Sequence, residues 1–108
     1  MKPITQEKLK EMLDNKEDFV LVNVLSKESF DQKHIPGSIS IPISEGFASE
    51  IQKQIPNKDT KVIVYCANTE CQASPNAAKK LDELGYSDVY DYEGGVAEFC
   101  MNNECAKA

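Results

Sequence analysis

Apolar residues along the chain fall into short, nearly continuous runs separated by polar segments. Residues 19–24 (FVLVNV) and Lys61–Tyr65 (KVIVY) are rich in apolar side chains, a pattern typical of strands buried on both faces of a parallel sheet. Two shorter runs, residues 39–41 and residues 89–92, predict further strands. Pro42 ends the first of these because proline cannot donate a hydrogen bond to a strand ladder.

Segments with apolar residues at helical spacing alternate with the strands. They predict helices over residues 6–15, 27–32, 47–55, 75–84 and 96–102. Thr5 and Ser26 are the expected N-caps of the first two helices. For the fourth helix we expect Ser74 at the N-cap, Pro75 at the first position and Gly85 just past the end. This alternation predicts an α/β fold with a mainly parallel sheet, and 108 residues predict one domain over residues 1–108.

Cys66 follows the strand Lys61–Tyr65 directly, and in parallel sheets ligands collect beyond the carboxyl ends of the strands. The loop between Cys66 and Ser74 is mostly small or polar and consists of Ala67, Asn68, Thr69, Glu70, Cys71, Gln72 and Ala73. Its amides and the next helix N-terminus could converge on the sulfur and favour the thiolate. Cys66 is therefore a candidate nucleophile, and the loop is its candidate substrate-binding surface. The alternative from position alone is a small buried apolar residue that ends a core strand.

Structural roles are predicted for several residues near these segments. His34, the only histidine, precedes a Pro-Gly turn and is expected to satisfy backbone groups there rather than to act as an acid or base. Tyr65 alternates to the other side of its strand from Cys66, so we expect it in the core. Gly94 and Gly95 are expected to let the chain pass close to the loop without a side-chain clash.

The charge of the chain limits its partners and ligands. The formal net charge is −6, which disfavours nucleic acid as a partner. All twelve basic residues are Lys, so a bound anion must be held by Lys or backbone amides rather than by a bidentate guanidinium. The N-terminal residues contain no apolar stretch long enough for a signal peptide or a membrane span. We therefore expect no membrane association and a cytoplasmic location.

The four cysteines form two pairs with the same spacing, Cys66 with Cys71 and Cys100 with Cys105. A disulfide framework is typical of secreted chains, so reduced thiols are expected in both pairs. Zinc bound by all four thiolates is disfavoured because the spacing is atypical and the metal would occupy Cys66. The sequence therefore predicts no metal site.

Two segments of the chain resemble the rhodanese-like domain family. Residues 21–42 (LVNVLSKESFDQKHIPGSISIP) are similar to the family's early segment of a strand, a short helix, an HIPGA turn and a second strand. Residues 62–99 contain VIVYC, a loop, SPNAAKKLDELGY, VYDY and EGGVAEF. These pieces resemble the family's cysteine strand, active loop, helix and closing GG-x-x-x-Trp segment, in the same order.

The resemblance implies a fold and an activity. The fold is α/β, with a parallel five-stranded sheet flanked by helices on both faces. The activity is that of a sulfurtransferase or persulfide carrier: Cys66 takes sulfane sulfur from thiosulfate or a persulfide donor, becomes Cys66–S–SH and passes the outer sulfur to a thiophilic acceptor. The amides of residues 67–73 would bind that sulfur, and no cofactor is expected. The expected partners are a small sulfur donor or a persulfide or thiol protein, and the chain is expected to be a monomer.

The chain also departs from the family pattern. Asn23-Val24-Leu25 stands where Asp-Val-Arg is usual, and Phe99 replaces the closing Trp. The loop is longer than usual, lacks Arg and carries Cys71, which weakens charge recognition of thiosulfate and favours a persulfide or thiol partner as the donor. Two alternatives stay open: a non-catalytic rhodanese-like binding module, and a dithiol redox switch in which Cys71 resolves an oxidised Cys66 through a disulfide.

Overall fold

The structure, a computed structural model, describes residues 1–44 and 46–107. The predicted domain also includes positions 45 and 108, which lie outside the described residues. Strands and helices alternate along the described chain as β1 (Lys2–Pro3), α1 (Gln6–Asp14), β2 (Val20–Asn23), α2 (Lys27–Gln32), β3 (Ile39–Ser40), α3 (Phe47–Gln54), β4 (Lys61–Tyr65), α4 (Ala73–Glu83), β5 (Asp88–Tyr92) and α5 (Gly95–Asn102).

Within the described residues, the strands form one parallel sheet in the order β1-β5-β4-β2-β3. The central strand is β4. Its last residue, Tyr65, lies opposite Asn23 in β2 and Tyr92 in β5, so all three strands end at one level. The segments that follow these strands therefore meet at a common edge of the sheet.

Apolar side chains fill both faces of the sheet. In β4, Val62 and Val64 belong to the core beneath α3 and α4, whereas Ile63 and Tyr65 belong to the core beneath α1 and α5. Because side chains alternate along a strand and both faces are buried, the strand needs apolar residues at successive positions. The predicted α/β fold, with a parallel five-stranded sheet and helices on both faces, is confirmed.

The helix ends follow the sequence prediction at α1 and α2. Thr5 Oγ1 accepts a hydrogen bond from the Lys8 amide, and Ser26 Oγ accepts one from the Ser29 amide, both at 3.2 Å. The apolar pattern does not predict β1, because this strand has only two residues, both exposed, and lies at the edge of the sheet beside β5. Such a short pairing has no periodicity of its own.

The start of α4 differs from the sequence prediction. The helix begins at Ala73 with Gln72 as its N-cap, so the prediction that Ser74 caps a helix beginning at Pro75 is wrong. Pro75 is tolerated at the third helical position, two further in than predicted, because amides in the first turn have no intrahelical partner in any case. Ser74 thus lies inside the helix, and its side chain is buried towards the sheet.

A disulfide closes the segment that follows α5. Cys100 and Cys105 are joined with their Cα atoms 5.6 Å apart, so the prediction of reduced thiols is wrong for this pair. The extended backbone of Asn103 (φ −141°, ψ 157°) ends the helix and turns the chain so that the two sulfurs meet. Ala106 then pairs with His34 in an antiparallel bridge. The disulfide uses two of the four thiols, which also rules out zinc bound by all four.

Candidate active site

Cys66 lies at the carboxyl edge of the sheet, beneath the first turn of α4. The residue is 1% exposed and packs in the core with Val62 and Val64. Its Sγ lies 3.5 Å from Ser74 Oγ and 3.7 Å from the carbonyl oxygen of Cys71, and either oxygen can accept the single thiol proton. The thiol is therefore buried yet surrounded on one side by polar groups.

The N-terminus of α5 holds the backbone of Cys66 and Ala67 in place. The Val96 amide donates to the Cys66 carbonyl at 3.0 Å, and the Ala97 amide donates to the Ala67 carbonyl at 2.8 Å. Gly95 has φ +63°, and a Cβ atom there would lie 2.9 Å from the Ala67 carbonyl carbon and closer still to the Cys66 carbonyl oxygen. The predicted close approach of the glycine pair to the loop is confirmed at Gly95.

The loop folds back so that Cys71 returns towards Cys66. The Asn68 carbonyl accepts a hydrogen bond from the Cys71 amide at 3.1 Å, and Asn68 Oδ1 accepts one from the Glu70 amide at 3.0 Å. The tip of the loop at residues 68–70 is exposed, Gln72 is exposed, and Ala67, Cys71 and Ala73 are half-buried. Cys71 is thus the more accessible of the two loop thiols.

The loop amides converge on Cys71 rather than on Cys66. Burial raises the pKa of the Cys66 thiol, and the Cys71 side chain raises it further, against the opposing effect of the Ser74 hydroxyl and amide. Burial also acts to raise the pKa of Cys71, but the Cys66 thiol and the amides of Ala67, Ala73 and Ser74 outweigh it and lower that pKa. The structure therefore differs from the sequence prediction, because the thiolate that the loop favours is that of Cys71.

A buried carboxyl group lies beside this pair. Asp91 is 1% exposed, and neither of its side-chain oxygens has a hydrogen-bond partner among the described residues. Burial raises the pKa of its carboxyl, the nearby Ser74 hydroxyl lowers it, and the charge of Glu93 raises it. The sequence prediction missed this group. The sequence feature that could have revealed Asp91 is its position two residues after Val89, because this places an acidic side chain on a strand face that must otherwise be apolar.

A second polar cluster lies on the opposite face of β4. The Tyr65 hydroxyl accepts hydrogen bonds from the Ile35 amide and from Asn23 Nδ2, both at 3.1 Å, and shares one with Ser38 Oγ at 2.7 Å. Asn23 Oδ1 accepts a hydrogen bond from the Leu25 amide at 2.9 Å. Tyr65 is fully buried, as predicted. Asn23, which stands where the family usually has Asp, thus fixes the backbone after β2.

His34 makes contacts within its own segment. Its Nδ1 lies 2.8 Å from the Phe30 carbonyl oxygen, and its ring stacks on the Phe30 ring with the centroids 3.9 Å apart. The His34 backbone also pairs with Ala106. These contacts give His34 the structural role that the sequence predicts.

An open groove of about 400 Å³ runs beside the tip of the loop. Thr69 belongs to its lining, together with the start of α1 and the end of β5. The charged side chains that line it are Glu7, Glu93 and Glu98. An anionic ligand would meet three carboxylates there, so a neutral or basic ligand surface fits this groove better.

Residues 1–44 and 46–107 contain neither a membrane-spanning helix nor a cluster of potential metal ligands. No helix in this part of the chain is long and apolar enough to cross a membrane. In the same part of the chain, no three His, Cys, Asp or Glu side chains lie together in an arrangement that could hold a metal ion.

Comparison with known proteins places these features in a family. The chain is 35% identical over 92 residues to the uncharacterized Escherichia coli protein YibN, covering 84% of this chain and 62% of YibN. It is 33% identical over 85 residues to the thiosulfate sulfurtransferase GlpE of Pseudoalteromonas translucida, covering 79% of this chain and 75% of GlpE. The chain thus spans less than two thirds of YibN.

A solved structure of a sulfurtransferase has a similar fold. A crystal structure of a thiosulfate sulfurtransferase from Pseudomonas aeruginosa superposes on 99% of this chain with a TM-score of 0.86 and 29% identity, over 20% of that larger protein. The family model of the rhodanese-like domain matches residues 5–102, from the N-cap of α1 to the end of α5. With its sheet order and its cysteine at the carboxyl end of β4, the chain belongs to the rhodanese-like domain family.

Proposed function

We propose that this chain is a sulfurtransferase or persulfide carrier that moves sulfane sulfur through Cys66. The observation that carries the proposal is the thiol of Cys66 at the carboxyl end of the central strand, facing the first turn of α4, in a chain of the rhodanese-like family. Relatives named thiosulfate sulfurtransferase, such as GlpE, support the same reaction class. The reaction proceeds in two half-reactions with a covalent intermediate.

In the first half-reaction, the Cys66 sulfur attacks the outer sulfur of the donor. With a persulfide R–S–SH, the new bond joins the two sulfurs, the donor S–S bond breaks, and Cys66–S–SH and R–SH result. In the second half-reaction, a thiophilic acceptor attacks the outer sulfur and restores the Cys66 thiol. With cyanide as acceptor, the product is thiocyanate.

The surroundings of the loop favour a persulfide or thiol donor over thiosulfate. The chain has no Arg with which to bind an oxyanion by a bidentate contact. The groove beside Thr69 is lined by Glu7, Glu93 and Glu98. Thiosulfate carries two negative charges and would be repelled there, whereas a neutral disulfane or a basic protein surface would not.

The test compares wild type, Cys66→Ser and Cys71→Ser after incubation with thiosulfate or with a low-molecular-weight persulfide. Mass spectrometry of the intact protein reports the gain of one sulfur, about 32 Da, and thiocyanate formation with cyanide reports its transfer. We expect the gain in wild type and in Cys71→Ser and its loss in Cys66→Ser. A gain that survives in Cys66→Ser and disappears in Cys71→Ser would refute the assignment of Cys66. No gain in wild type or in Cys71→Ser with any donor would favour a non-catalytic binding module.

A second candidate function is dithiol exchange between the two loop thiols. It is favoured by the position of Cys66 Sγ, 3.7 Å from the carbonyl oxygen of Cys71, and by the lowered pKa of the Cys71 thiol. The Cys71 thiolate would attack the inner sulfur of Cys66–S–SH, form the Cys66–Cys71 disulfide and release HS⁻. The sulfane sulfur is reduced as the two cysteines are oxidised, and an external dithiol must then reduce the disulfide.

This second function has its own readout. After persulfide treatment, wild type would lose two hydrogens relative to its reduced mass and release hydrogen sulfide, whereas Cys71→Ser would keep the added sulfur. Peptide mapping locates the new linkage. Absence of a Cys66–Cys71 disulfide in wild type, with the persulfide persisting, would rule out the exchange and leave Cys71 without a resolving role.

A further inference from the structure

Asp91 carries a buried carboxyl group without a hydrogen-bond partner. The residue is 1% exposed, and both side-chain oxygens are unpaired among the described residues. Burying a carboxyl without compensating hydrogen bonds costs free energy, so a protein gains nothing in stability from it. The residues around Asp91 should therefore explain why a carboxyl group is buried at this position.

The sheet register brings Asp91 next to the loop thiol. Asp91 lies opposite Val64 in the parallel pair of β5 and β4, and parallel partners share a face of the sheet. Cys66 follows Val64 by two positions and points to the same face, in the same core. The carboxyl and the thiol thus project into one space beneath α4.

Ser74 of α4 faces both groups. It is 1% exposed, and its Oγ lies 3.5 Å from Cys66 Sγ in the direction of S–H donation. The same hydroxyl is close enough to lower the pKa of the Asp91 carboxyl, but it makes no hydrogen bond to either carboxyl oxygen in this structure. A hydroxyl can accept one proton and donate another, so rotation of the Ser74 side chain towards Asp91 would connect the two groups.

Cys66 must lose a proton before or while it attacks a sulfur atom. Burial raises the pKa of this thiol, so it holds its proton in neutral solution. At 1% exposure, the residue has almost no contact with bulk water that could accept the proton. A proton acceptor inside the protein, one hydroxyl away, meets this need.

Few titratable groups lie around Asp91, and the competing proton acceptor among them is Cys71, whose pKa is lowered, against the effect of burial, by its interaction with the Cys66 thiol. Just after β5, the carboxylate of Glu93 raises the pKa of Asp91 and so makes it a better proton acceptor. The buried side chains of α4 are Ser74, Ala77, Ala78 and Leu81, which carry no charge. On β1, Pro3 lies opposite Asp91, and on the loop side the titratable groups are the thiols of Cys66 and Cys71.

We infer that Asp91 accepts the proton of Cys66 through the Ser74 hydroxyl during sulfur transfer and returns it to the departing donor group. The inference rests on the proposed function of Cys66. In the step, the thiol proton moves to Ser74 Oγ as the Ser74 proton moves to Asp91, the Cys66–sulfur bond forms, and the donor S–S bond breaks. The electron pair of that bond leaves with RS⁻, which takes the proton from Asp91 by the reverse route to give R–SH.

The test is the pH dependence of persulfide formation on Cys66 in the full chain. Wild type, Asp91→Asn, Ser74→Ala and Ser74→Thr are each mixed with a low-molecular-weight persulfide, and the added sulfur is followed by mass spectrometry. Asp88→Asn is the matched control, since Asp88 lies at the other end of the same strand. Circular dichroism checks that each variant is folded.

At neutral pH we expect Asp91→Asn and Ser74→Ala to form the persulfide about 100-fold more slowly than wild type, with Asp88→Asn near the wild-type rate and Ser74→Thr, which keeps the hydroxyl, faster than Ser74→Ala. The difference in rate from wild type should shrink in alkaline solution, because Cys66 ionises there without an internal proton acceptor. A purely structural effect of the substitutions would instead stay constant with pH. A deficit of the same size at every pH, or wild-type rates in both Asp91→Asn and Ser74→Ala, would overturn the inference alone. No persulfide on Cys66 in wild type would overturn the proposed function and this inference together.

Discussion

Replacing Gly95 with Ala would test how the start of α5 supports the loop. Gly95 has φ +63°, and the new Cβ atom would lie 2.9 Å from the Ala67 carbonyl carbon and closer still to the Cys66 carbonyl oxygen. Both of these are backbone atoms that cannot rotate away. Either the N-terminus of α5 or the strand end that carries Cys66 must therefore move.

The expected cost can be worked out from three contributions. A left-handed backbone conformation costs a residue with a Cβ atom about 1 to 2 kcal/mol. The shift also breaks the hydrogen bonds from Val96 to Cys66 and from Ala97 to Ala67, each worth about 1 kcal/mol. The sum is about 3 to 4 kcal/mol, a large share of the roughly 5 to 15 kcal/mol that stabilises a typical domain.

Gly85→Ala is the matched control for this substitution. Gly85 also has a positive φ, +95°, but a Cβ atom there would meet nothing within 4 Å. It should therefore pay only the backbone cost of about 1 to 2 kcal/mol. Urea denaturation followed by circular dichroism measures both variants, and sulfur loading of Cys66 should fall only in Gly95→Ala. Equal losses of stability in the two variants would refute the role assigned to the close contact with the loop.

Three further predictions concern stability. Tyr65→Phe should lower the free energy of unfolding by about 2 to 4 kcal/mol, because the buried Ile35 amide loses its acceptor; a loss below about 1 kcal/mol in urea denaturation would contradict this. Cys100→Ser, or reduction of wild type, should cost about 2 kcal/mol because the disulfide with Cys105 closes a short loop, and equal urea midpoints with and without reductant would contradict it. The pKa of Asp91 is raised on folding, so the folded state binds more protons than the unfolded state between the two pKa values. Wild-type stability relative to Asp91→Asn should therefore fall as pH rises from about 4, and a pH-independent difference would show that this carboxyl is not perturbed.

The position of Cys66 could be predicted because its causes are local. The apolar run of Lys61–Tyr65 marks a strand buried on both faces, and the residue after it must lie at the carboxyl edge of the sheet. The Gly95 contact could be predicted as well, since only glycine permits so close an approach. Short-range patterns were sufficient for these features.

The chemistry within the loop depends on distances that the sequence does not contain. Asp91 reaches the site only because β5 pairs with β4 in the register that sets it opposite Val64. The lowered pKa of Cys71 depends on where the amides of Ala67, Ala73 and Ser74 point. The sequence predicts too late a start for α4 because Ser74 matches a capping residue in type, whereas its hydroxyl contacts Cys66.

Both edge strands of the sheet are very short. β1 and β3 have two residues each, and they flank central strands of four and five residues. Exposed edge strands can pair with another chain, and short edges leave few free amides and carbonyls for such pairing. Pro3 further removes one donor from β1. Under the proposed function, a protein that delivers or collects sulfur would therefore not recognise this molecule by adding a strand to its sheet, and we expect its contacts to be made by side chains around the loop.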